Sequence, residues 1–246
     1  MSSIFCYRFQ INVADLFNVS QPTVSRIVKK ITRHIAALRP QFITMPETED
    51  QRRAVVLGFY NLAQLPGIIG AVDCTHIKIQ SPGGENAEVF RNRKSYFSIN
   101  TQIIGSFDLK IMDIVARWPG SVHDTTIFND SNIRGHFENN EFSPYCLVGD
   151  GGYPCRVYLL TPLQDPQTLP QQRYNNAQIK TRNPVERLFG VWKRRFPCLS
   201  LGMRLKLETM CEVIVATAVL HNMCLEQNDT IDFFENGPEM EQIEEI

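Results

Sequence analysis

Three acidic side chains occupy positions where a carboxylate is costly or conspicuous. Asp73 interrupts the apolar run GIIGAVDCTHIKI, where burying a charge is expensive unless it faces a polar site or a cation. Asp150 follows the short apolar segment Tyr145–Val148 and precedes Gly151 and Gly152, a strand end of the kind where α/β proteins bind ligands. Glu186 stands 35 intervening residues later, in NPVERLFGVWKRRFPCL. Carboxylates brought together repel one another and take up protons unless a cation intervenes. An all-oxygen set favours Mg²⁺ or Mn²⁺ over zinc. Two such ions, ~3.5–4 Å apart, can hold the attacking and leaving oxygens of a phosphodiester in line. Asp124, in GSVHDTTIF, is a fourth candidate metal ligand, and Asp108 and Asp113 read as turn and strand-surface residues.

Each position also has a plainer reading. Asp73 could be a buried acid satisfied by hydrogen bonds, and Asp150 could make a turn before its two glycines. Asp124 could cap a helix. Asn183, Pro184 and Glu186 fit a capping box at the start of a helix, so the glutamate could bond back to Asn183. What favours the metal reading is the order of the three acids and the kinds of element that carry them.

Those elements can be read from periodicity. Residues 67–79, 96–107 and 110–120 are strand-like, with Asp108-Leu109-Lys110 as a turn. SVHDTTIFNDSNIRGHF reads as a helix, YCLVGDGGYP as a short buried strand, and residues 183–199 and 207–227 as two helices. Strand, strand, strand, helix, strand, helices is the order of a ribonuclease H-like α/β domain, a mixed sheet flanked by helices. In that topology the first and fourth strands are neighbours. Asp73 and Asp150 then lie side by side, and the helix from residue 184 brings Glu186 across them.

A small helix-turn-helix is expected to precede the sheet. VADLF and a helix from Gln21 flank the turn Asn18-Val19-Ser20, with Ser20 as N-cap and Pro22 in the first turn. Val24, Ile27, Val28, Ile31 and Ile35 make a buried stripe, leaving Gln21, Thr23, Ser25, Arg26 and Lys29 for DNA. Arg187, Lys193, Arg194 and Arg195 put positive charge beside Glu186, as a phosphate backbone would need. Solvated basic helix faces are the competing explanation for both sets.

The bulk composition is that of a globular protein, with 43% hydrophobic and 21% charged residues. Seven scattered cysteines without a C-x-x-C pair, and five histidines without an H-x-x-x-H pair, argue against a disulfide framework or a zinc enzyme and for a reducing compartment. No leader pattern for secretion opens the chain, and no uninterrupted apolar run is long enough for a membrane helix. The net charge of −1 conceals a basic front and an acidic end: residues 229–246 carry seven acidic groups and no basic one, leaving +6 on residues 1–228. Three segments are therefore expected: a partial helix-turn-helix over 1–45, the catalytic core over 50–225, and an acidic mobile tail over 226–246. An aspartyl-nucleophile phosphatase built on Asp73 is disfavoured because Thr75 stands where its second acid belongs. VGDGGYP fits neither a P-loop nor a dinucleotide fingerprint.

GAVDCTHIKI, GSVHDTTIF, VGDGGYP and NPVERLFGVWKRRFPCL, together with AVLHNMC and VSQPTVSRIV, resemble the signature blocks of PIF/Harbinger-type DDE transposases, above all the nucleases derived from Harbinger transposases. The resemblance spans most of residues 12–225. It implies a DDE site on Asp73, Asp150 and Glu186 with Asp124 as a further divalent-metal ligand, and cleavage of DNA phosphodiester bonds. It also implies a nuclear setting, with the cytoplasm as an additional location, and a Myb-like DNA-binding protein as a plausible partner. The alternative within the family is a domesticated, catalytically inactive nuclear protein that binds DNA or a partner.

Overall fold

The computed structural model describes residues 3–227, with side chains from residue 10 onward. The acidic tail expected over 226–246 thus falls, from residue 228 on, outside the described residues. Four helices come first: α1 (Ser3–Leu16), α2 (Gln21–Ala37), α3 (Arg39–Phe42) and α4 (Glu49–Ala63). Then follow β1 (Ile68–Lys78), β2 (Ser98–Gly105) and β3 (Ile111–Pro119), α5 (Asp124–Asn129) and α6 (Asn132–Glu138), and β4 (Cys146–Val148) and β5 (Leu159–Leu160). The described chain closes with α7 (Leu169–Arg195), α8 (Cys198–Leu201) and α9 (Leu207–Glu226).

The strands form one mixed sheet in the order β3-β2-β1-β4-β5. β1 pairs antiparallel with β2 and parallel with β4, and β4 pairs parallel with β5. This is the ribonuclease H-like mixed sheet flanked by helices. Alternation along β1 decides which residue faces which layer. Ala71 and Ile77 enter a core with Val148, Val185, Leu188 and Trp192, whereas Val72 enters the opposite core with Phe128, Leu147 and Tyr153. Asp73 and Thr75 share the α7 face; Cys74 and His76 share the other.

Three boundaries differ from the sequence reading. The expected single helix over 121–137 is two, because Ser131 leaves helical geometry at φ −85°, ψ 144° and its hydroxyl bonds to Phe128 O at 2.6 Å. β5, too short to carry a periodic signal, was not anticipated. The helix bearing Glu186 begins at Leu169 rather than at Pro184. Its capping box is Thr168 with Gln171, and Pro184 lies inside it. Proline there removes one helical hydrogen bond. Its own burial, and that of Val185 and Leu188 after it, outweigh that loss by seating the helix on the sheet.

Gly105 sets how closely α7 approaches. A Cβ there would lie 2.8 Å from Leu188 Cδ2 and 3.4 Å from Val185 Cγ2. Gly105→Ala is expected to cost about 1–3 kcal/mol in urea unfolding by pushing α7 off β2; an unchanged midpoint would show that the helix yields freely.

α1 and α2 are joined by a short turn, and Ser20 holds the N-cap position without a capping bond, its hydroxyl lying 2.9 Å from Thr23 Oγ1. The buried stripe expected along α2 is a correction. Val24 is buried and Ile35 packs against the core, but Ile27, Val28 and Ile31 are exposed. The ends of the stripe are covered, by α1 and by the packing of α2 on α9, where Arg33 pairs with Glu212 at 2.8 Å. The middle turns have no such cover. Asp113 differs too: it is largely buried and paired with Arg39 at 3.1 Å, and burial pushes its carboxyl above the usual range.

α9 is long and apolar enough to cross a membrane by length and composition alone. Here it is a core helix. Ile214, Ala218 and Val219 are buried, and Asn222 joins the sheet, accepting from Ile111 N at 2.9 Å and donating to Ile111 O and Phe42 O at 2.7 Å.

Candidate active site

The β1–β4 register aligns the first two acids. Ala71 pairs with Val148, so Asp73, still on β1, and Asp150, in the turn just past the end of the parallel neighbour β4, each stand two residues beyond that pair. Asp73 Oδ1 accepts from the Cys74 N–H at 2.7 Å, and Oδ2 accepts from Arg182 Nη1 at 2.7 Å. Burial raises the Asp73 carboxyl to about 6; Arg182 opposes this, while the charges of Asp150 and Asp124 add to it. Asp150 makes the turn that its glycines suggested, with Oδ1 accepting from Gly152 N at 3.0 Å.

Glu186 is reached through Arg182, one helical turn before it, whose Nη2 donates to Glu186 Oε1. The guanidinium therefore bridges Asp73 and Glu186. Side-chain exposures of 13% for Asp73, 18% for Arg182 and 53% for Glu186 place this bridge at the rim of the core. Because α7 begins well before Glu186, the capping-box reading of Asn183 and Glu186 falls away.

Asp124 lies at the first turn of α5, with His123 rather than Asp124 at the cap position. Its carboxylate accepts from Asn100 Nδ2 at 2.8 Å, on the face of β1 opposite Asp73. Thr125 Oγ1, donating to Gly152 O at 2.7 Å, ties the start of α5 to the Asp150 turn. The structure thus joins Asp73 and Glu186 on the α7 side through Arg182, sets Asp150 in the turn after β4, and holds Asp124 on the opposite face of β1. Also on that other face, Cys74 Sγ lies 3.5 Å from Tyr153 Oη, and burial pushes both groups well above their ordinary ionisation ranges. Neither is a ready nucleophile.

The basic candidates divide as well. Lys193 is largely enclosed, donating to Thr75 Oγ1 at 2.7 Å and His76 O at 3.1 Å, and burial lowers its ammonium to about 8. Arg187 and Arg194 are exposed. In α2, Gln21 is tied back to Gln10 at 2.8 Å and Arg26 to Thr23 at 3.2 Å, while Ser25 and Lys29 are half-buried.

Sequence reasoning missed Arg182, Asn100 and a second basic element. Arg93 and Lys94 are exposed on a tight turn whose shape is fixed by buried Asn92, the side-chain oxygen of which accepts from Lys94 N and Tyr96 N. They line a cleft with His76, Asn100 and Asp124. Arg182 could have been found from its spacing of four before Glu186, had Pro184 not been read as a helix start.

By chemistry the carboxylates fit a hard divalent cation, and the guanidinium between two of them is itself a cation in that place. Among the described residues, no three acidic, histidine or cysteine side chains converge closely enough to hold a metal as they stand.

The model for the DDE superfamily endonucleases matches residues 72–222, the stretch that contains all four acids. The chain belongs to this family. Relatives agree: the proteins named "Putative nuclease HARBI1" from Homo sapiens and Xenopus laevis are 34% identical over 221 residues and 30% identical over 224. "Protein ALP1-like" of Arabidopsis thaliana is 26% identical over 237 residues. Each alignment covers 89% of this chain, and 63%, 64% and 58% of the respective relative, so this DDE-family chain spans less than two thirds of their length. No solved structure matches it. The family expected from the signature blocks is the one found.

Proposed function

We propose that this chain is a divalent-metal-dependent DNA endonuclease, a hydrolase of phosphodiester bonds derived from, or still acting as, a Harbinger-type transposase. The observation that supports the reading is the parallel pairing of β1 with β4, which ends at Ala71–Val148 two residues short of Asp73 and Asp150, together with the Arg182 bridge from Asp73 to Glu186. Asp73, Asp150 and Glu186 would hold Mg²⁺ or Mn²⁺. When bound, such ions supply Lewis-acid stabilisation of the phosphate oxygens and lower the pKa of the attacking water. The chain's own residues position the substrate: Lys193, anchored on β1 beside the acids, supplies fixed positive charge, and Arg187 and Arg194 add to it. Asp124, bonded to Asn100 of β2 on the face opposite Asp73, is the least favoured of the four ligands.

For DNA, the α1–α2 pair would act as a helix-turn-helix through Thr23, Ser25, Arg26 and Lys29, with Gln21 held against α1. The same reading divides the chain into residues 1–45 for DNA contact, 50–225 for chemistry, and an acidic tail. It places the protein in the nucleus, and also in the cytoplasm, with a Myb-like partner supplying sequence-specific binding. Incubation of supercoiled plasmid with Mn²⁺, Mg²⁺ or EDTA tests the activity. Nicking or linearisation only with metal supports it, and intact plasmid under all three conditions counts against it.

The Arg93–Lys94 turn adds positive charge beside Asp124, on the face of the sheet opposite α7. Arg93→Gln with Lys94→Gln is expected to weaken DNA binding and to reduce the slope of log affinity against log salt by about 1.8, at ~0.9 per lost phosphate contact. An unchanged slope in a salt titration would remove this turn from the interface.

A second reading has a specific observation behind it. The acids do not converge on one point and Arg182 already pairs two of them, as suits a catalytically inactive protein that keeps the fold to bind DNA or a partner. Mn²⁺ titration separates the two: saturable binding lost in Asp73→Asn belongs to the nuclease.

A further inference from the structure

Arg182 has a position that simple structural support does not require. α7 is already fixed on the sheet by buried Val185, Leu188 and Trp192 and by the close approach at Gly105. Yet Arg182 turns inward, with Nη1 on Asp73 Oδ2 at 2.7 Å and Nη2 on Glu186 Oε1. The other Asp73 oxygen is taken by the Cys74 N–H. Both oxygens of Asp73 therefore have donors, and Oδ2 is held by a positive charge that also pairs with Glu186. A planar guanidinium suits this task, because its paired N–H groups can serve two carboxylates at once.

We propose that Arg182 is a resident counter-cation that occupies the carboxylate site in the metal-free protein and must swing away before a divalent ion can enter. The inference rests on the metal site proposed above and adds how that site is closed. The backbone of α7 need not move. The long arginine side chain pivots about its own stem, and its charge is released toward solvent at the rim where half-exposed Glu186 lies. Metal entry exchanges one positive charge for two and breaks two ion pairs. Arg182 is thus a positioning residue: it keeps Asp73 and Glu186 paired across the site in the absence of metal, at the expense of metal affinity.

The test is Mn²⁺ binding to the full chain, followed by the loss of the free-ion electron paramagnetic resonance signal, without DNA. Arg182→Gln removes the competing cation and is expected to bind Mn²⁺ about tenfold more tightly than the wild type, the equivalent of one lost ion-pair contribution. Arg182→Lys keeps the charge but offers a single point donor, and should fall between the two. Circular dichroism and thermal melting of each variant establish that it is folded. Equal or weaker binding by folded Arg182→Gln overturns the inference and leaves the metal site standing. No saturable binding by wild type or either variant overturns the metal site and the inference with it. Tighter binding that Asp73→Asn abolishes supports both.

Discussion

Asp150→Asn is expected to lower metal-dependent nicking of supercoiled DNA by at least about a thousandfold, roughly 4 kcal/mol of transition-state stabilisation. The substitution removes a negative charge and an anionic oxygen from the strand end beside Asp73. It keeps the hydrogen bond that shapes the turn, since an amide oxygen can still accept from Gly152 N where Oδ1 does now. The loss should therefore appear without a change in urea midpoint or in DNA affinity. Asp124→Asn is expected to lose much less, because that carboxylate faces Asn100 from the other side of β1. Initial nicking rates in Mn²⁺ for the two variants check the ranking. If Asp124→Asn were the more damaging, the metal would belong on the opposite face.

The second large effect concerns stability in EDTA. Burial raises the Asp73 carboxyl to about 6 from an ordinary value of 3.8, despite the Arg182 guanidinium beside it. The folded state thus holds this proton more tightly than the unfolded chain. That contribution is fully present below pH ~4 and is lost as pH rises through ~6. A shift of about two units corresponds to about 3 kcal/mol at neutral pH. Asp73→Asn resembles the protonated acid at every pH. In urea unfolding, the variant and the wild type should lie close together at pH 4, and the variant should be more stable by about 2–3 kcal/mol at pH 7.5. A constant gap across that range would mean that Arg182 compensates the buried charge completely. An acid that weakens the fold at working pH belongs with function rather than with stability.

Much of the fold was legible because its signals are local. β1, β2 and β3 carry uninterrupted apolar or alternating runs bounded by turn residues, and α9 carries a long apolar helical segment. The acids were legible by context, Asp73 because it breaks an apolar strand and Asp150 because it stands between strand and glycines. Signals failed where two structures share one local pattern. Asn183-Pro184 looks like a helix start, and nothing nearby says that residues 169–183 already form the helix. The α2 stripe looks like a buried face, but whether it is buried depends on how far its neighbours extend along it.

The sequence by itself determined the family, the order of β1 to β4 and of the main helices after them, and the three acids on which a metal-dependent nuclease reading rests. The family follows from the resemblance of the signature blocks, and the rest from residue types and short-range periodicity. Only the tertiary structure decided that the β1–β4 pairing ends just short of Asp73 and Asp150, that Asp124 bonds to Asn100 on the face opposite Asp73, and that Lys193 is enclosed rather than solvated. It also decided that Arg182 stands between Asp73 and Glu186. Residues 73 and 182 lie far apart in the chain, and no local preference encodes their pairing. It arises because packing lays α7 on the Asp73 side of β1, where a buried carboxylate must find a positive partner.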